Sequence, residues 1–460
     1  MDNTGYTPEE PIAAIATALS PSALGIVRAS GKNSIELLSK IFSRPSALLN
    51  AGGNTILYGW IIDGEKKVDE VLVSVFRSPK SFTGEDMVEI SCHGGVSVVM
   101  AVYNLLLKSG FRQAERGEFT FRAYINGKTD LTKAEAVREI IDSKTDESRS
   151  RAAGRLAGNL YETIDSVKKL IVETIADIEV EIEYPEDEEN IVDSFDDTKL
   201  RRAKDALTNL ASSWKSEKIY QDGARVVLCG KTNAGKSSLF NALLKEDRAI
   251  VSDIEGTTRD FIESWIDFDG IPARLFDTAG LRETDDLIEA KGVEITKDLS
   301  DEADLILYLA DSRFPLSKED SEFLEKHDSE KSNVPLILVS TKADSPESKK
   351  IEIDFSCPVV SISSKTGEGI AELSSLVKKL LSSSSESDRS QTGLGSERQK
   401  VAVEDALESV SHALALSSDF ALDAVVQDLE DSLDALGIVT GDVTPDDILG
   451  SIFSRFCVGK

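Results

Sequence analysis

Apolar and polar positions change rhythm several times along this chain. From Ile12 to Ile90, short apolar stretches alternate with turn residues, as in Gly25-Ile26-Val27-Arg28 and Val71-Leu72-Val73-Ser74-Val75, which predicts a mixed α/β segment. From Thr132 to about Glu183, Ala, Glu, Lys, Arg, Leu and Ile recur at helical spacing with no proline before Pro185, which predicts long helices. The acidic run Glu186, Asp187, Glu188, Glu189 reads as a solvated loop, and a further helix is expected over about Asp197 to Trp214. Strands and helices then alternate from Ala224 to about Leu381, the pattern of a parallel sheet with crossover helices. The polar stretch Ser382 to Ser396 reads as a linker. Helical periodicity returns from Glu397 to Leu436, and the chain ends in the tail Ile452-Phe453-Ser454-Arg455-Phe456-Cys457-Val458-Gly459-Lys460. Helical sequence on both sides of a self-contained α/β block implies that the block is inserted into one helical domain. No internal repeat is visible.

Composition narrows the setting. A chain of 460 residues is too long for one compact core, so about two or three domains are expected. Its 52 basic and 82 acidic side chains leave a formal net charge of -30, the opposite of a general nucleic-acid coat, so any nucleic acid must be held locally or by a partner. Cys92, Cys229, Cys357 and Cys457 stand far apart and, with only three histidines, offer no zinc spacing. The first residues carry Asp2, Glu9 and Glu10 without an apolar run, and no stretch reaches the length of a membrane span, so a reduced, cytoplasmic setting is expected.

The chemistry concentrates in the α/β block. The apolar strand Arg225-Val226-Val227-Leu228-Cys229 runs into Gly230-Lys231-Thr232-Asn233-Ala234-Gly235-Lys236-Ser237, and Ser238-Leu239-Phe240 begins a helix. In this strand–loop–helix setting, glycines permit a tight wrap and backbone N–H groups face phosphates, with Lys236 reaching the β- and γ-phosphates and Ser237 holding Mg²⁺. Further on, Asp277-Thr278-Ala279-Gly280 closes a strand, so that Asp277 can orient a magnesium-bound water and the Gly280 amide can sense the γ-phosphate. Between the two lies Gly256-Thr257-Thr258-Arg259-Asp260, a switch segment whose Thr258 hydroxyl could complete the Mg²⁺ shell. Base choice falls to Thr341-Lys342-Ala343-Asp344, since Asp344 can accept two hydrogen bonds from the N–H edge of guanine and adenine offers no such pair. Most GTPases have asparagine where this chain has Thr341, and the Rho-type enzymes share the threonine. Ser363-Ser364-Lys365, after an apolar strand, supplies the last base-contacting loop.

Hydrolysis also needs a placed water and a balanced charge. Leu281 occupies the position of the usual catalytic glutamine and cannot polarise water. Glu283, Asp285, Asp286 and Glu289 follow it, either as candidate water-orienting acids or as solvated charges on a loop. Asn233, inside the phosphate loop, could ligate a monovalent cation in place of an arginine finger, or could simply make a turn hydrogen bond.

With Asp253-Ile254-Glu255-Gly256-Thr257-Thr258-Arg259-Asp260 and Asp277-Thr278-Ala279-Gly280-Leu281-Arg282-Glu283 in place, the chain closely resembles the MnmE (TrmE) family. Ser81-Phe82-Thr83-Gly84-Glu85-Asp86, His93-Gly94-Gly95, Arg116-Gly117-Glu118-Phe119-Thr120, Asn126-Gly127-Lys128 and the terminal Phe456-Cys457-Val458-Gly459-Lys460 extend the resemblance over essentially the full length. It implies a multidomain α/β plus α protein. An N-terminal folate-binding and dimerisation domain would cover 1–128, a discontinuous helical domain 129–222 and 382–460, and an inserted Ras-like GTPase domain 223–381.

The resemblance further implies a potassium-dependent GTPase that works with the FAD protein MnmG in a heterotetramer. Together they would install an aminomethyl-type group at carbon five of the wobble uridine of tRNA, drawing one carbon from methylene- or 5-formyl-tetrahydrofolate. Carried over by motif, nucleotide contacts fall on Asn233, Ala234, Gly235, Lys236, Ser237 and Ser238; on Ser252, Asp253, Ile254, Glu255, Gly256, Thr257 and Thr258; on Asp277, Thr278, Ala279 and Gly280; and on the two base loops. Potassium ligands would be Asn233, Ser252, Ile254 and Thr257, pairing the GTPase domains of a homodimer, with Glu289 orienting the water. Folate contacts would be Arg28, Glu89, Lys128 and Lys460, although Arg28 and Glu89 also suit a structural ion pair. Cys457 is either a participant in the modification chemistry or a buried structural thiol. The chain departs from the family in reading Ser20-Pro21-Ser22-Ala23-Leu24-Gly25 where a glycine-arginine-rich turn is usual. A ribosome-assembly GTPase of the Era or Der type and a GTP-controlled scaffold are the alternative readings.

Overall fold

The computed structural model of the chain describes residues 10–183, 196–245, 262–277, 303–329, 334–351, 353, 357–382, 393–416, 422–443 and 446–459. Its contacts divide into two units: Met1–Arg138 with Tyr161–Ala203 and Asp405–Lys460, and Glu139–Leu160 with Lys204–Glu404.

In the first unit, strands β1 (Ile12–Ile15), β2 (Leu24–Ser30), β3 (Thr55–Asp63), β4 (Lys66–Phe76), β5 (Met87–His93) and β6 (Arg112–Gln113) form a sheet in the order β3-β4-β5-β2-β1-β6. Every pair is antiparallel except β1 with β6. The two-residue period of β4 sends Val71, Val73 and Val75 into the core and leaves Leu72 47% exposed on the other face. The helices Ser34–Ser39 and Val96–Lys108 cover the inner face, burying Ile35, Leu38, Val99, Val102 and Leu106. Each such aliphatic side chain stabilises the fold by about 1.5–3 kcal/mol.

The helix Glu118–Ile125 carries the fully buried Arg122, whose guanidinium donates to Glu85, to Glu118 and to the Glu10 carbonyl. A buried cation persists here because each neighbour is a paired acceptor. The helix Asp446–Ser454 brings Phe453 edge-on to Phe121 at 5.2 Å, so part of the stretch read as a tail is helical. The long helix Asn159–Glu183 buries Leu160, Ile164, Val167, Ile171 and Ile178, with Thr174 completing a repeat of alternating fours and threes.

In the second unit, strands β7 (Ala224–Gly230), β8 (Ile262–Phe268), β9 (Ile271–Asp277), β10 (Leu305–Asp311), β11 (Leu336–Thr341) and β12 (Val359–Ser361) form a sheet in the order β12-β11-β10-β7-β9-β8. Residues 305–310 of β10 are buried without a break, as a strand covered on both faces requires. The helices Lys236–Lys245 and Ile370–Leu381 pack on one face through Leu239, Leu243, Leu373 and Val377, and Lys318–Ser329 covers the other through Leu324.

The sheet is not wholly parallel: β8 runs antiparallel to β9 at the edge. Asp269 and Gly270 both take positive φ, a turn that joins only a hairpin, whereas a parallel connection needs a crossover of many residues. That turn is gripped from two sides, by Thr145 Oγ1 donating to the Gly270 carbonyl at 2.8 Å and by Lys378 Nζ donating to the Asp269 carbonyl at 2.6 Å.

Candidate functional site

β7 ends at Gly230, whose φ is +128° and where an added Cβ would sit 2.3 Å from the Leu309 carbonyl oxygen, so only glycine lets the chain turn here. The loop continues through Asn233 in the left-handed region and enters the helix Lys236–Lys245. Lys236 is buried, and its Nζ donates to the Gly230 carbonyl at 2.6 Å and the Lys231 carbonyl at 2.8 Å. The ammonium thus stands at the centre of the wrap, with the N–H groups of the first helical turn beside it. Asn233, Ser237 and Ser238 are exposed and Ala234 is buried.

The base loop is tied to the phosphate loop. Thr341 Oγ1 approaches the Ala234 carbonyl at 2.7 Å and the Ala310 carbonyl at 3.2 Å. Lys342, at φ +60°, donates from Nζ to the Asn233 carbonyl at 2.9 Å and to Asp311 Oδ2 at 2.7 Å. Asp344 is exposed and its Oδ1 accepts from Ser363 Oγ at 2.7 Å. The Ala343 N–H donates to the Ile362 carbonyl at 3.0 Å, which binds the two base loops together. Ser363 is buried behind Asp344, Ser364 is half-buried and Lys365 is exposed.

Asp311 was not singled out from the sequence. It closes β10, and its carboxylate takes both Arg313, at 3.0 and 2.8 Å, and Lys342. The hydrogen bond from Arg313, reinforced by Lys342, holds this carboxyl well below the usual carboxylate range. A lone aspartate after six apolar residues was its only signal.

Ser252, Asp253, Ile254, Glu255, Gly256, Thr257, Thr258, Thr278, Ala279, Gly280 and Glu289 lie outside the described residues, as do Leu281, Glu283, Asp285, Asp286 and Lys460. The backbone of Asp277 ends β9, in register with Ile262.

A second constellation lies in the first unit. β2 and β5 place Arg28 opposite Glu89, and Arg28 Nη2 meets Glu89 Oε1 at 2.6 Å while Nη1 donates to the Gly459 carbonyl at 3.0 Å. The ion pair expected of these residues is therefore formed. The guanidinium lies 5.1 Å from the Phe119 ring centroid and 5.6 Å from that of Phe82, and Glu89 keeps about a quarter of its side chain exposed. Lys128 Nζ donates to the Pro79 carbonyl at 3.0 Å.

The C-terminal residues reach this place through a bridge between Arg116 and Val458, with Cys457 exposed. Cys457 is exposed, which corrects the reading of it as a buried structural thiol. Glu118, at the start of the helix that carries Arg122, is held below its usual range: burial pushes it up, but Arg112, the Glu115 N–H and Arg122 outweigh that. The departing turn at Ser20–Gly25 is fixed by the Ser22 N–H on the Gly94 carbonyl at 3.1 Å and leaves Arg28 on its strand.

Residues 131–457 match the family model described as the MnmE helical domain, and residues 11–128 match that of the GTP-binding protein TrmE N-terminus. The chain is 53% identical to the tRNA modification GTPase MnmE of Treponema denticola, over 99% of each chain. It is 41% identical to that of Borreliella burgdorferi over 98% of each. Among solved structures, the G domain of the T. maritima FeoB iron transporter is 31% identical, over 34% of this chain and 98% of that one, with a TM-score of 0.26.

Proposed function

Because the chain belongs to the MnmE family of tRNA modification GTPases, we propose that it hydrolyses GTP in a potassium-dependent reaction coupled to modification of the tRNA wobble uridine. The observation that carries the nucleotide part is the bracing of one loop by another: Thr341 and Lys342 both bond to the loop that encloses Lys236. Thr341 uses a hydroxyl for this tie, so a guanine site is compatible with the absence of asparagine.

In the proposed site, Lys236 meets the β- and γ-phosphates, Asp344 reads the base and Ser237, with Thr258, would hold Mg²⁺. Magnesium held there would neutralise charge that develops on the β- and γ-phosphates. Asn233 is exposed beside the loop that holds Lys236 and carries an amide oxygen suited to a soft-shelled monovalent cation. With Ser252, Ile254 and Thr257 it would hold K⁺, and Glu289 would orient the attacking water. Pairing of two GTPase domains in a homodimer would complete this arrangement.

The one-carbon donor would be held by Arg28, Glu89, Lys128 and Lys460. The exposed part of Glu89 suits the N–H pair of a pterin, the partly exposed Phe82 ring offers an apolar face, and the cations suit the donor's carboxylates. A bound tetrahydrofolate supplies the carbon unit. Cys457 faces solvent in the same C-terminal segment that reaches Arg28, which suits a part in the modification chemistry. An MnmG-type FAD protein would complete the modification centre. With a formal charge of -30, the chain itself is poorly suited to attract tRNA, so the partner or a local patch must supply that attraction. Among the described residues no helix is long and apolar enough to cross a membrane. The reading places the work in the cytoplasm, beside its tRNA.

Nucleoside mass spectrometry of tRNA from cells with and without this protein tests the conclusion. Loss of the modified wobble uridine supports it, whereas unchanged nucleosides together with ribosomal-subunit binding would favour the ribosome-assembly reading. Loss of turnover in Glu289→Ala with modification intact would favour the scaffold. Hydrolysis is expected to run about tenfold faster in potassium than in sodium, the equivalent of one well-placed charge contact; equal rates in the two salts would refute the potassium reading.

A further inference from the structure

Lys342 does two things with one ammonium. It donates to the Asn233 carbonyl at 2.9 Å and to Asp311 Oδ2 at 2.7 Å, and so forms a bridge from the end of β10 to the middle of the phosphate loop. Asp311 lies in register with Thr341 across the β10–β11 ladder, which sets its carboxylate beside the base loop. It belongs to neither the phosphate loop nor the base loops. Both Lys342 and Asn233 hold left-handed backbone conformations, at φ +60° and +63°. Two non-glycine residues in that region need fixing by their surroundings. The bridge supplies it, and Arg313 on the other side keeps the Asp311 carboxylate from rotating away.

We propose that Asp311 is a positioning residue for GTP hydrolysis: acting through Lys342, it holds the backbone of Asn233 so that the Asn233 amide is presented to the monovalent cation. This rests on the reading of Asn233 as a potassium ligand. Asp311 does not touch the nucleotide and is not catalytic. Its carboxyl stays ionised throughout the neutral range, so the bridge persists wherever the enzyme turns over.

The test uses the full chain at saturating GTP, with KCl titrated against choline chloride at constant ionic strength. Asp311→Asn is expected to raise the half-saturating potassium concentration about tenfold, the worth of one charge-assisted hydrogen bond, while turnover at saturating potassium stays within about twofold of the parent. Lys342→Met cuts the same bridge from its other end and serves even if Asp311→Asn fails to fold; because Lys342 also belongs to the base loop, this variant is assayed with GTP raised until it saturates and is read on half-saturating potassium alone.

The two variants separate positioning from simple electrostatics. Removing the Asp311 charge weakens cation attraction on either account, but removing the positive Lys342 would tighten cation binding if charge alone mattered. Positioning predicts weaker potassium binding, a raised half-saturating concentration, in both. An unshifted half-saturation in either folded variant, or a tighter one in Lys342→Met, overturns the proposal while leaving the potassium reading standing. A parent enzyme indifferent to potassium overturns both.

Discussion

Exchanging Asp344 for asparagine is expected to lower kcat/KM for GTP by about a thousandfold and to create activity towards xanthosine triphosphate, because an unmatched buried hydrogen-bonding edge is heavily penalised. A carboxylate accepts from both the ring N–H and the exocyclic amine of guanine. In this protein Ser363 Oγ donates to Oδ1 of that carboxylate at 2.7 Å, which fixes its plane. In the variant, the same hydroxyl would hold the amide oxygen and turn the NH₂ towards the base. That group faces guanine's amine donor to donor but matches the carbonyl that xanthine carries at the same place. Steady-state rates with the two nucleotides measure the effect. A variant that hydrolyses GTP as well as the parent and ignores the xanthine nucleotide would show that Asp344 does not read the base.

Replacing Arg155 by methionine should destabilise the unit that contains the nucleotide loops by about 3–5 kcal/mol, the usual cost of stranding buried charge. Arg155 is only 2% exposed and serves two carboxylates at once. Nε donates to Glu139 Oε2 at 2.7 Å, and Nη1 donates to Glu217 Oε2 at 2.9 Å and to the Gly393 carbonyl at 3.3 Å. Arg151 reaches the other oxygen of Glu217 at 2.5 Å and Glu147 at 3.3 Å, so the cluster sets two cations against three carboxylates. Without Arg155, Glu139 loses this ion pair and Glu217 keeps only Arg151, on which Glu147 also draws. Denaturant unfolding at neutral pH reads the effect, and an unchanged midpoint would show that the cluster contributes nothing.

The phosphate loop and its flanking strand and helix were legible because glycine spacing, an apolar strand and a helical continuation all fall within a short stretch. The base loops were legible for the same reason. Asp311 was not, because its meaning depends on Lys342, which lies in the next strand's loop and meets it only after β10 and β11 align. Likewise Arg155, Glu139 and Glu217 carry no local period that marks them as partners, and the residues alone look like helix-surface charges. The antiparallel edge strand β8 was hidden because alternation of strands and helices says little about direction when one connection is a tight turn. Arg28 and Glu89 could be suspected as partners, but their sharing of a ladder position depends on the register of two strands far apart in sequence.

The β8–β9 hairpin has a consequence for how the enzyme senses its ligand. Ile262 follows the segment that carries Thr258, Asp277 opens the segment that carries Gly280, and the two residues are ladder partners about 5 Å apart. Both segments proposed to sense the γ-phosphate therefore join neighbouring points on a single ribbon whose far end is clamped by Thr145 and Lys378. Strain entering one junction is shared by the other. Paired substitutions, one in each segment, should consequently interact in a double-mutant cycle instead of adding as independent losses.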